Sequence, residues 1–408
     1  MKSSKSICIT ALLILLLFAL CLTACGSGSP EPVPTAEPSP TPSPSPTPVP
    51  VFSVGQYKIS ADCAKLDLSE ADSSQVQELA AALQQCTVLK SVELGSDETC
   101  SLEWEDIKTL EDAAPDAEFN YSFTLYDKPF TLSDTEMDIN HIKISDNGEL
   151  VRRVIACMPN LTFLDMDYCH VSDEDMAAIR DDFPNVKVVW RVFFGEAYTC
   201  RTDVEKILAS CPGLGGNLTP ENTQSLKYCT DVKYLDVGHN EVLHDISFVA
   251  YMPKLEVAIL AMAWFTDTTP LANCPHLEFL EIQTNNITDL SPLSGLKELK
   301  HLNIGWNFDL CDISPIYDLD LERLWIGTLT PIPTEQVEEF KRRHPDCQVN
   351  TEVYDPHGDW RYEPDGSGYI PRYALLVEQF GYDKADYTVA GNDPKFYEGG
   401  VFPWAYGS

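Results

Sequence analysis

Two consecutive stretches, LEFLEIQTNNITDLSPLSGLKE (277–298) and LKHLNIGWNFDLCDISPIYDLD (299–320), repeat one pattern of 22 residues. Apolar residues stand at positions 1, 4 and 6, and asparagine stands at position 9. The pattern begins again at Leu321 and, in degenerate form, at Leu255, and an earlier copy starts at Val232. Units this short cannot bury an apolar face alone, so the repeats predict an α/β solenoid of stacked units with one shared core.

The repeats resemble those of the leucine-rich repeat superfamily, and the segments DLSPLSGL and DISPIYDL are similar to internalin repeats. The resemblance covers residues 232–329, about a quarter of the chain. It implies a curved, right-handed solenoid in which each repeat adds one strand to a parallel concave sheet, with helices or irregular turns on the convex side. Internalins are non-catalytic surface binding proteins, so the resemblance implies a binding role without naming the ligand.

The N-terminus has the pattern of a secreted lipoprotein. Two lysines (Lys2 and Lys5) precede the apolar run 7–22, and the sequence LTAC at 22–25 is similar to the bacterial lipobox, whose cysteine receives the lipid. We therefore expect a signal peptide over 1–24 and lipidation of Cys25. An ordinary signal peptide or a transmembrane anchor is the alternative.

A Pro/Ser/Thr-rich stretch follows the predicted lipid site. Proline at every second or third position over 26–50 favours extended polyproline II, which predicts a disordered, semi-rigid linker over 25–55. Together these segments place the protein at the extracytoplasmic face of a bacterial membrane, where the lipid alone anchors it.

The first half of the chain is also repetitive. The stretch from Leu66 to Thr131 aligns with the stretch from Ile142 to Thr199, and each copy reads as strand, helix and strand. We predict helical leucine-rich repeats over 56–230, internalin-like repeats over 231–350, and one continuous solenoid across both. A separate N-terminal α/β domain is the alternative.

Residues 351–408 are rich in aromatic residues, Gly and Pro, with one candidate helix at 372–380. The last repeat of a solenoid needs a cover because its core otherwise faces water. A cap is the favoured interpretation of this segment, and a small recognition module is the alternative.

The composition and motifs argue against several functions. The net charge of −35 argues against nucleic-acid binding and against direct adhesion to anionic lipid. We find no catalytic motif, no paired zinc ligands and no phosphate loop, so no catalytic residue, metal or cofactor is assigned. The stretch 363–370 copies the first part of a calcium loop, but Ala374 occupies the position of its closing carboxylate. We interpret this stretch as a Gly-rich turn.

The repeat frame itself suggests a ligand surface. Side chains at positions 3, 5 and 8 are expected to point out of the concave sheet, because strand residues alternate between faces. The candidate ligand-binding residues are Tyr234, Asp236, Phe279, Glu281, His301, Trp306, Arg323 and Trp325. Aromatic rings flanked by acids suit a protein or peptide with basic and apolar groups, or a stacked glycan. Cover by the cap or by neighbouring repeats is the alternative.

From the sequence we therefore expect a membrane-anchored, non-catalytic leucine-rich repeat lipoprotein that binds an extracellular ligand through its concave face. A structural or assembly lipoprotein of the cell envelope is the second hypothesis, and a surface hydrolase is the third.

Overall fold

A computed structural model describes residues 48–195, 198–210, 218–354, 359–380 and 402–403. The predicted signal peptide, Cys25 and most of the predicted linker lie outside these residues. The first strand begins at Val51, so the linker ends before that residue rather than at residue 55. No helix within the described ranges is long and apolar enough to cross a membrane.

Among its described residues, the first half contains eleven strands and four α-helices. The strands are β1 (Val51–Val54), β2 (Tyr57–Ser60), β3 (Lys65–Asp67), β4 (Ser91–Ser96), β5 (Glu118–Leu125), β6 (Lys128–Thr131), β7 (Glu136–Asp138), β8 (Phe163–Asp165), β9 (Lys187–Val189), β10 (Arg191–Phe194) and β11 (Tyr198–Arg201). The helices are α1 (Val76–Leu83), α2 (Trp104–Ala113), α3 (Glu149–Ile155) and α4 (Asp173–Asp182).

The internal duplication is present, but it starts earlier than the sequence alignment suggests. Strands β3, β4 and β5 pair in parallel, with α1 and α2 between them, and β7, β8 and β9 repeat this order with α3 and α4. The counterpart of Leu66 is therefore Met137, the middle residue of β7, and not Ile142.

The parallel stack is not one continuous sheet, although one apolar core runs through both halves. An antiparallel hairpin of β5 with β6 ends the first copy, and a hairpin of β10 with β11 ends the second. These hairpins divide β3 to β11 into separate sheets of four, three and two strands, and β1 and β2 pair as an antiparallel sheet of their own. A short strand, β19 (Phe402–Pro403), pairs with β11 and completes the third of these sheets.

The second half forms a seven-stranded parallel sheet. Its strands are β12 (Lys206–Leu208), β13 (Tyr234–Asp236), β14 (Val257–Ile259), β15 (Phe279–Glu281), β16 (His301–Asn303), β17 (Arg323–Trp325) and β18 (Gln348–Asn350). Each strand pairs with the next in a constant register, in which Phe279 faces His301 and His301 faces Arg323. The predicted repeat frame is confirmed, because these partners share position 3.

The core of the sheet follows the apolar positions of the repeat. Leu280 and Ile282 are fully buried, as are the matching Leu302 and Ile304 in the next repeat. On the convex side, short 3-10 turns such as Ser291–Gly295 take the place of the helices of the first half. This turn has a proline near its start. A helix, α5 (Thr334–Arg343), returns before β18.

A ladder of buried asparagines fixes the turn that follows each strand. The amide of Asn285 donates to the carbonyls of Leu260 and Ile282 at 3.0 Å each, and its oxygen accepts from the backbone of Ala263 at 3.0 Å. Asn307 makes the equivalent bonds one repeat later. Each asparagine therefore satisfies backbone groups of two neighbouring repeats that have no ladder partner.

The residue before each asparagine adopts the left-handed conformation. Three of these residues, His239, Thr284 and Trp306, have φ angles of 59°, 58° and 57°. None of them is glycine, so each carries a conformational cost that the ladder of bonds offsets. The turn also places the position-8 side chains in a row along one edge of the sheet.

Candidate functional site

Seven of the eight predicted ligand-binding residues lie together on one face of the seven-stranded sheet. We call this face, formed by positions 3 and 5 of β12 to β18, the concave face. The register aligns the position-3 side chains across adjacent strands and does the same at position 5. Trp306, at position 8, lies on the edge of this face.

The expectation that these side chains are exposed is wrong for most of them. Phe279 and Glu281 have no solvent-accessible surface, and Trp325 retains 2%. Asp236, His301 and Arg323 are also buried, whereas Tyr234 and Trp306 are half-buried. Replacement of Trp325 by alanine would therefore remove a buried ring and change the packing of this face.

The cover is the chain's own C-terminal segment. Residues 359–380, which we call the C-terminal segment, contain a short 3-10 turn (Asp359–Arg361), a hairpin turn and the helix α6 (Pro371–Phe380). A second apolar cluster forms where this segment meets the sheet, and it is distinct from the core of the repeats. Its members from the segment are Trp360, Ile370, Tyr373, Leu376 and Phe380, and those from the sheet are Val257, Ile259, Phe279 and Trp325.

Trp360 is the centre of this contact. Its ring has no accessible surface and lies 5.6 Å from the ring of Phe279 and 5.9 Å from that of Trp325, centroid to centroid. The ring of Tyr373 also approaches Phe279, at 6.4 Å. Rings at these separations add edge and stacking contacts to the area that they bury.

Glu281 is the polar anchor beneath Trp360. Its carboxylate accepts from the Trp360 indole Nε1 at 2.8 Å and from Arg361 Nη2 at 2.7 Å and Nε at 3.1 Å. Gln283 donates a further bond at 3.2 Å. Burial raises the pKa of the Glu281 carboxyl, but the Arg361 charge and these bonds outweigh it and hold the pKa below its usual value. The carboxylate is therefore ionised, buried and paired.

Arg323 and His301 complete the polar part of the concave face. Arg323 donates to the carbonyls of Trp360 at 3.0 Å and Tyr362 at 3.2 Å, so it holds the backbone of the segment. Burial, with the charges of Arg372 and Arg323, lowers the pKa of His301 to about 3. His301 is therefore a neutral ring at physiological pH.

The two ends of α6 are fixed by two further polar contacts. Arg372, at the start of α6, forms an ion pair with Glu278. At the other end, Lys206 donates to the carbonyl of Gln379 at 3.0 Å. The Phe380 ring meets the edge of Tyr234 at 6.4 Å, which places the end of α6 over the first strands of the sheet.

Several polar atoms of the concave face remain unsatisfied beneath this cover. Within the part of the chain that the structure describes, six buried side-chain polar atoms have no hydrogen-bond partner; three belong to strands of this sheet and two to the turn that follows β15. They are Gln283 Oε1, Thr284 Oγ1, His301 Nδ1, Arg323 Nε and Trp325 Nε1. The apolar surfaces of the sheet and the segment therefore fit each other better than their hydrogen-bonding groups do.

The sequence gives a partial signal for the covering residues. The run DWRYEPDGSGY (359–369) places the cationic Arg361 between two aromatic residues, and Arg372 opens the amphipathic helix at 372–380. The segment was expected to cover the end of the solenoid. Residues 359–380 lie along the concave face, which is the alternative cover stated above for that face, and there Arg361 and Arg372 pair with Glu281 and Glu278.

The stretch with partial similarity to a calcium loop is a tight turn. The amide of Glu363 donates to the Gly368 carbonyl, Tyr362 and Tyr369 form an antiparallel bridge, and Gly366 has a φ of 72°. Asp365 accepts from the backbone of Ser367 at 2.9 Å. Among the described residues, no three His, Cys, Asp or Glu side chains converge as a metal site.

A separate cavity of about 440 Å³ lies beside α4 and the strands that follow it. Four cationic side chains line it, and all four have acidic partners; Arg180 contacts Asp181 at 3.5 Å. Lys187 and Lys254 both contact Asp231, at 2.8 and 2.6 Å, and Lys233 contacts Glu205 at 2.8 Å. The cavity is therefore a charge-balanced cleft rather than a site prepared for an anion.

Comparisons with known proteins agree with the repeat character of the chain. Residues 157–179 match the family model described as Leucine Rich repeat. Over 75 residues the chain is 36% identical to cilia- and flagella-associated protein 410 of Mus musculus. That stretch is 18% of this chain and 30% of the mouse protein, so the chain spans less than a third of that relative.

Three solved structures are also similar. An internalin of Listeria monocytogenes is 18% identical, with a TM-score of 0.30, and the match covers 70% of this chain and 91% of the internalin. For internalin C2 of the same organism the values are 18%, 0.27, 69% and 88%. For a leucine-rich repeat protein of Leptospira interrogans they are 17%, 0.30, 66% and 74%.

These TM-scores are low, so we identify the fold from the spacing, the strand register and the asparagine ladder of the repeats themselves. Solenoids of this kind present extended concave surfaces that serve as interaction scaffolds. The chain has a leucine-rich repeat α/β fold that includes a sheet of seven parallel strands. The C-terminal segment of the chain covers the concave face of this sheet.

Proposed function

We propose that this chain is a non-catalytic leucine-rich repeat lipoprotein that is anchored through Cys25 at the extracytoplasmic face of a bacterial membrane. In this proposal its concave face binds a protein or peptide ligand. The observation that carries the proposal is the contact of the concave face with a polypeptide segment through buried rings and two arginine–carboxylate pairs.

The chemistry of that contact favours a polypeptide over a glycan. Glu281 accepts from an indole and a guanidinium at the same time, and Glu278 pairs with a second arginine. A guanidinium that donates two bonds to one carboxylate is a strong and directional contact. Cationic and aromatic side chains are available together on a protein ligand and not on a neutral sugar.

The strong negative charge of the chain supports a basic ligand. At a net charge of −35, the long-range field of the protein attracts cationic partners and speeds their association. A ligand of this kind is expected to bind more weakly as the salt concentration rises.

A paired peptide and glycan array tests the proposal. The soluble protein from residue 26 onward is applied to both arrays at low and at high salt. We expect binding to peptides in which arginine adjoins an aromatic residue, and weaker binding in 0.5 M NaCl, where the Debye length falls to about 4 Å. Binding confined to glycans, or turnover of any arrayed substrate, would contradict a protein-binding role.

A further inference from the structure

We infer that the C-terminal segment competes with an external ligand for the concave face. When the segment leaves, an external polypeptide that carries an adjoining aromatic–arginine pair and an amphipathic helix binds there. The inference rests on the proposed function, since it specifies how that site is occupied and what it accepts. Four observations support it.

The first observation is that the segment is bonded to the sheet through side chains. The backbone hydrogen bonds of its amides that the structure describes, such as Ile370 to Arg361 and Ala374 to Ile370, stay inside the segment. Its bonds to the sheet each involve a side chain: those of Arg323, Trp360, Arg361, Arg372 and Lys206. The segment can therefore leave without breaking the ladder between any two strands.

The second observation is that the segment and the repeats have separate apolar clusters. The repeat core continues beneath the sheet through Leu280 and Leu302, whereas Trp360, Tyr373 and Leu376 pack only against the outer, concave face. Regions with their own cluster and their own backbone bonds open as cooperative units at a lower free energy than the whole fold. Departure of the segment therefore leaves the solenoid folded.

The third observation is the imperfect polar match. His301 Nδ1, Arg323 Nε and Trp325 Nε1 are buried by the segment without a hydrogen-bond partner among the described residues. Buried polar groups in folded proteins are nearly always paired, so these atoms indicate a contact that another occupant can improve. A ligand that donates to His301 Nδ1 and accepts from the other two atoms would bind this face more tightly than the segment does.

The fourth observation is the form of the segment, which defines the ligand class. An indole and the next residue's guanidinium share Glu281, and the following helix presents Tyr373, Leu376 and Phe380 at positions i, i+3 and i+7. This spacing is how an amphipathic helix enters an apolar groove. The site is thus shaped for one aromatic–arginine pair and one helix face.

Two adjacent leucines of α6 provide a matched pair of variants. Leu376 is 2% exposed and packs against the sheet, whereas Leu375 is 60% exposed. Leu376→Ala in the full chain weakens the closed state, and Leu375→Ala makes the same chemical change on the outer side of the same helix. The probe is a labelled synthetic peptide with the sequence of residues 359–380, and its binding is measured by fluorescence anisotropy.

We expect the Leu376→Ala chain to bind the peptide at least tenfold more tightly than the parent, and the Leu375→Ala chain to bind it as the parent does. The same peptide with alanine in place of Arg361 should lose this gain. Equal affinity of the parent and Leu376→Ala for the unmodified peptide, or no binding by either, overturns the inference. No external ligand is used, so failure of the array experiment and failure of this one are independent.

If Leu376→Ala fails to fold, amide hydrogen exchange of the parent chain tests the inference instead. The amides of 371–380 should exchange together and at least tenfold faster than those of β15 and β16. If they exchange as slowly as these strands do, the segment is a permanent part of the fold and the inference is wrong.

Discussion

Replacement of Asn285 by alanine tests the physical basis of the repeat stack. The Asn285 side chain is 2% exposed, and it bonds to the carbonyls of Leu260 and Ile282 and to the amide of Ala263. Alanine removes both the donor and the acceptor and leaves the backbone groups in place. The two repeats that meet at this turn then lose their shared polar contact.

The size of the effect follows from the number of groups left without a partner. One unsatisfied buried polar group costs about 1–3 kcal/mol. Three groups are affected, but some of them regain a bond to water that enters the space, so we expect a loss of about 3 kcal/mol in the free energy of unfolding. At about 2 °C per kcal/mol for a large domain, the melting temperature should fall by about 6 °C.

The adjacent residue provides the control. Asn286 is exposed, and its side chain makes one bond, to the Trp264 carbonyl at 3.2 Å. Asn286→Ala should therefore change the stability by no more than about 0.5 kcal/mol. Asn307→Ala, at the same position of the next repeat, should match Asn285→Ala. Melting curves followed by circular dichroism measure all three variants, and equal melting temperatures for Asn285→Ala and Asn286→Ala would refute the argument.

Four further outcomes are expected. Burial and the charges of Arg372 and Arg323 lower the pKa of His301 to about 3, so the unfolded chain takes up the proton first. Its contribution to stability is complete above pH ~6.5 and is lost as the pH falls toward 3, by up to about 1.4 kcal/mol per pH unit. Urea unfolding at pH 7 and pH 5 should show this loss, and His301→Gln should remove it. Trp325→Ala should lower the free energy of unfolding by about 3 kcal/mol in urea, because its ring is buried against the C-terminal segment; a change below 0.5 kcal/mol would contradict that packing. Cys25→Ala should abolish incorporation of labelled palmitate, and equal labelling of variant and parent would exclude a lipid at that cysteine. Panels of peptide, ester, glycoside and phosphate substrates should show no turnover, and activity that is lost with one carboxylate would support the hydrolase alternative.

The fold of the second half was predictable because its repeats carry all the information locally. Leu280 and Ile282 identify the buried side of a strand, and Asn285 identifies the turn that follows. Each of these signals depends on residues within one 22-residue unit. The register across seven strands then follows from repetition, since every unit is displaced from its neighbour in the same way.

The interruptions in the first half were not predictable from the same kind of pattern. The turn between β5 and β6 is formed by Tyr126 and Asp127, with φ angles of 51° and 63°. Two positive φ angles define a tight hairpin turn, which is usually signalled by Asn-Gly or Asp-Gly. Tyrosine gives no such signal, so EFNYSFTL (118–125) reads as one more solenoid strand and its antiparallel partner is missed.

The concave face was predicted only in part, for a reason that is general to solenoids. Alternation along a strand shows that Phe279 and Glu281 share one face, but it does not show what lies against that face. The contact that buries Glu281 joins it to Trp360, 79 residues away in the chain. Periodicity carries no information at that separation, and the complementary chemistry of an acid and a Trp-Arg pair is common in sequences.

The tether between the segment and the concave face sets the affinity that an external ligand needs. A segment in the same chain has an effective concentration on the order of 1 mM at its site. A ligand present at about 1 μM must therefore bind about a thousandfold more tightly than the free segment does, which is about 4 kcal/mol. The three unpaired atoms of His301, Arg323 and Trp325 represent about 1–3 kcal/mol each for an occupant that satisfies them. The free energy that these unpaired atoms cost the closed state is thus about as large as the advantage that a ligand needs over the segment. A polypeptide that contacts only the apolar rings does not displace the segment. A polypeptide that also bonds to the polar atoms does displace it.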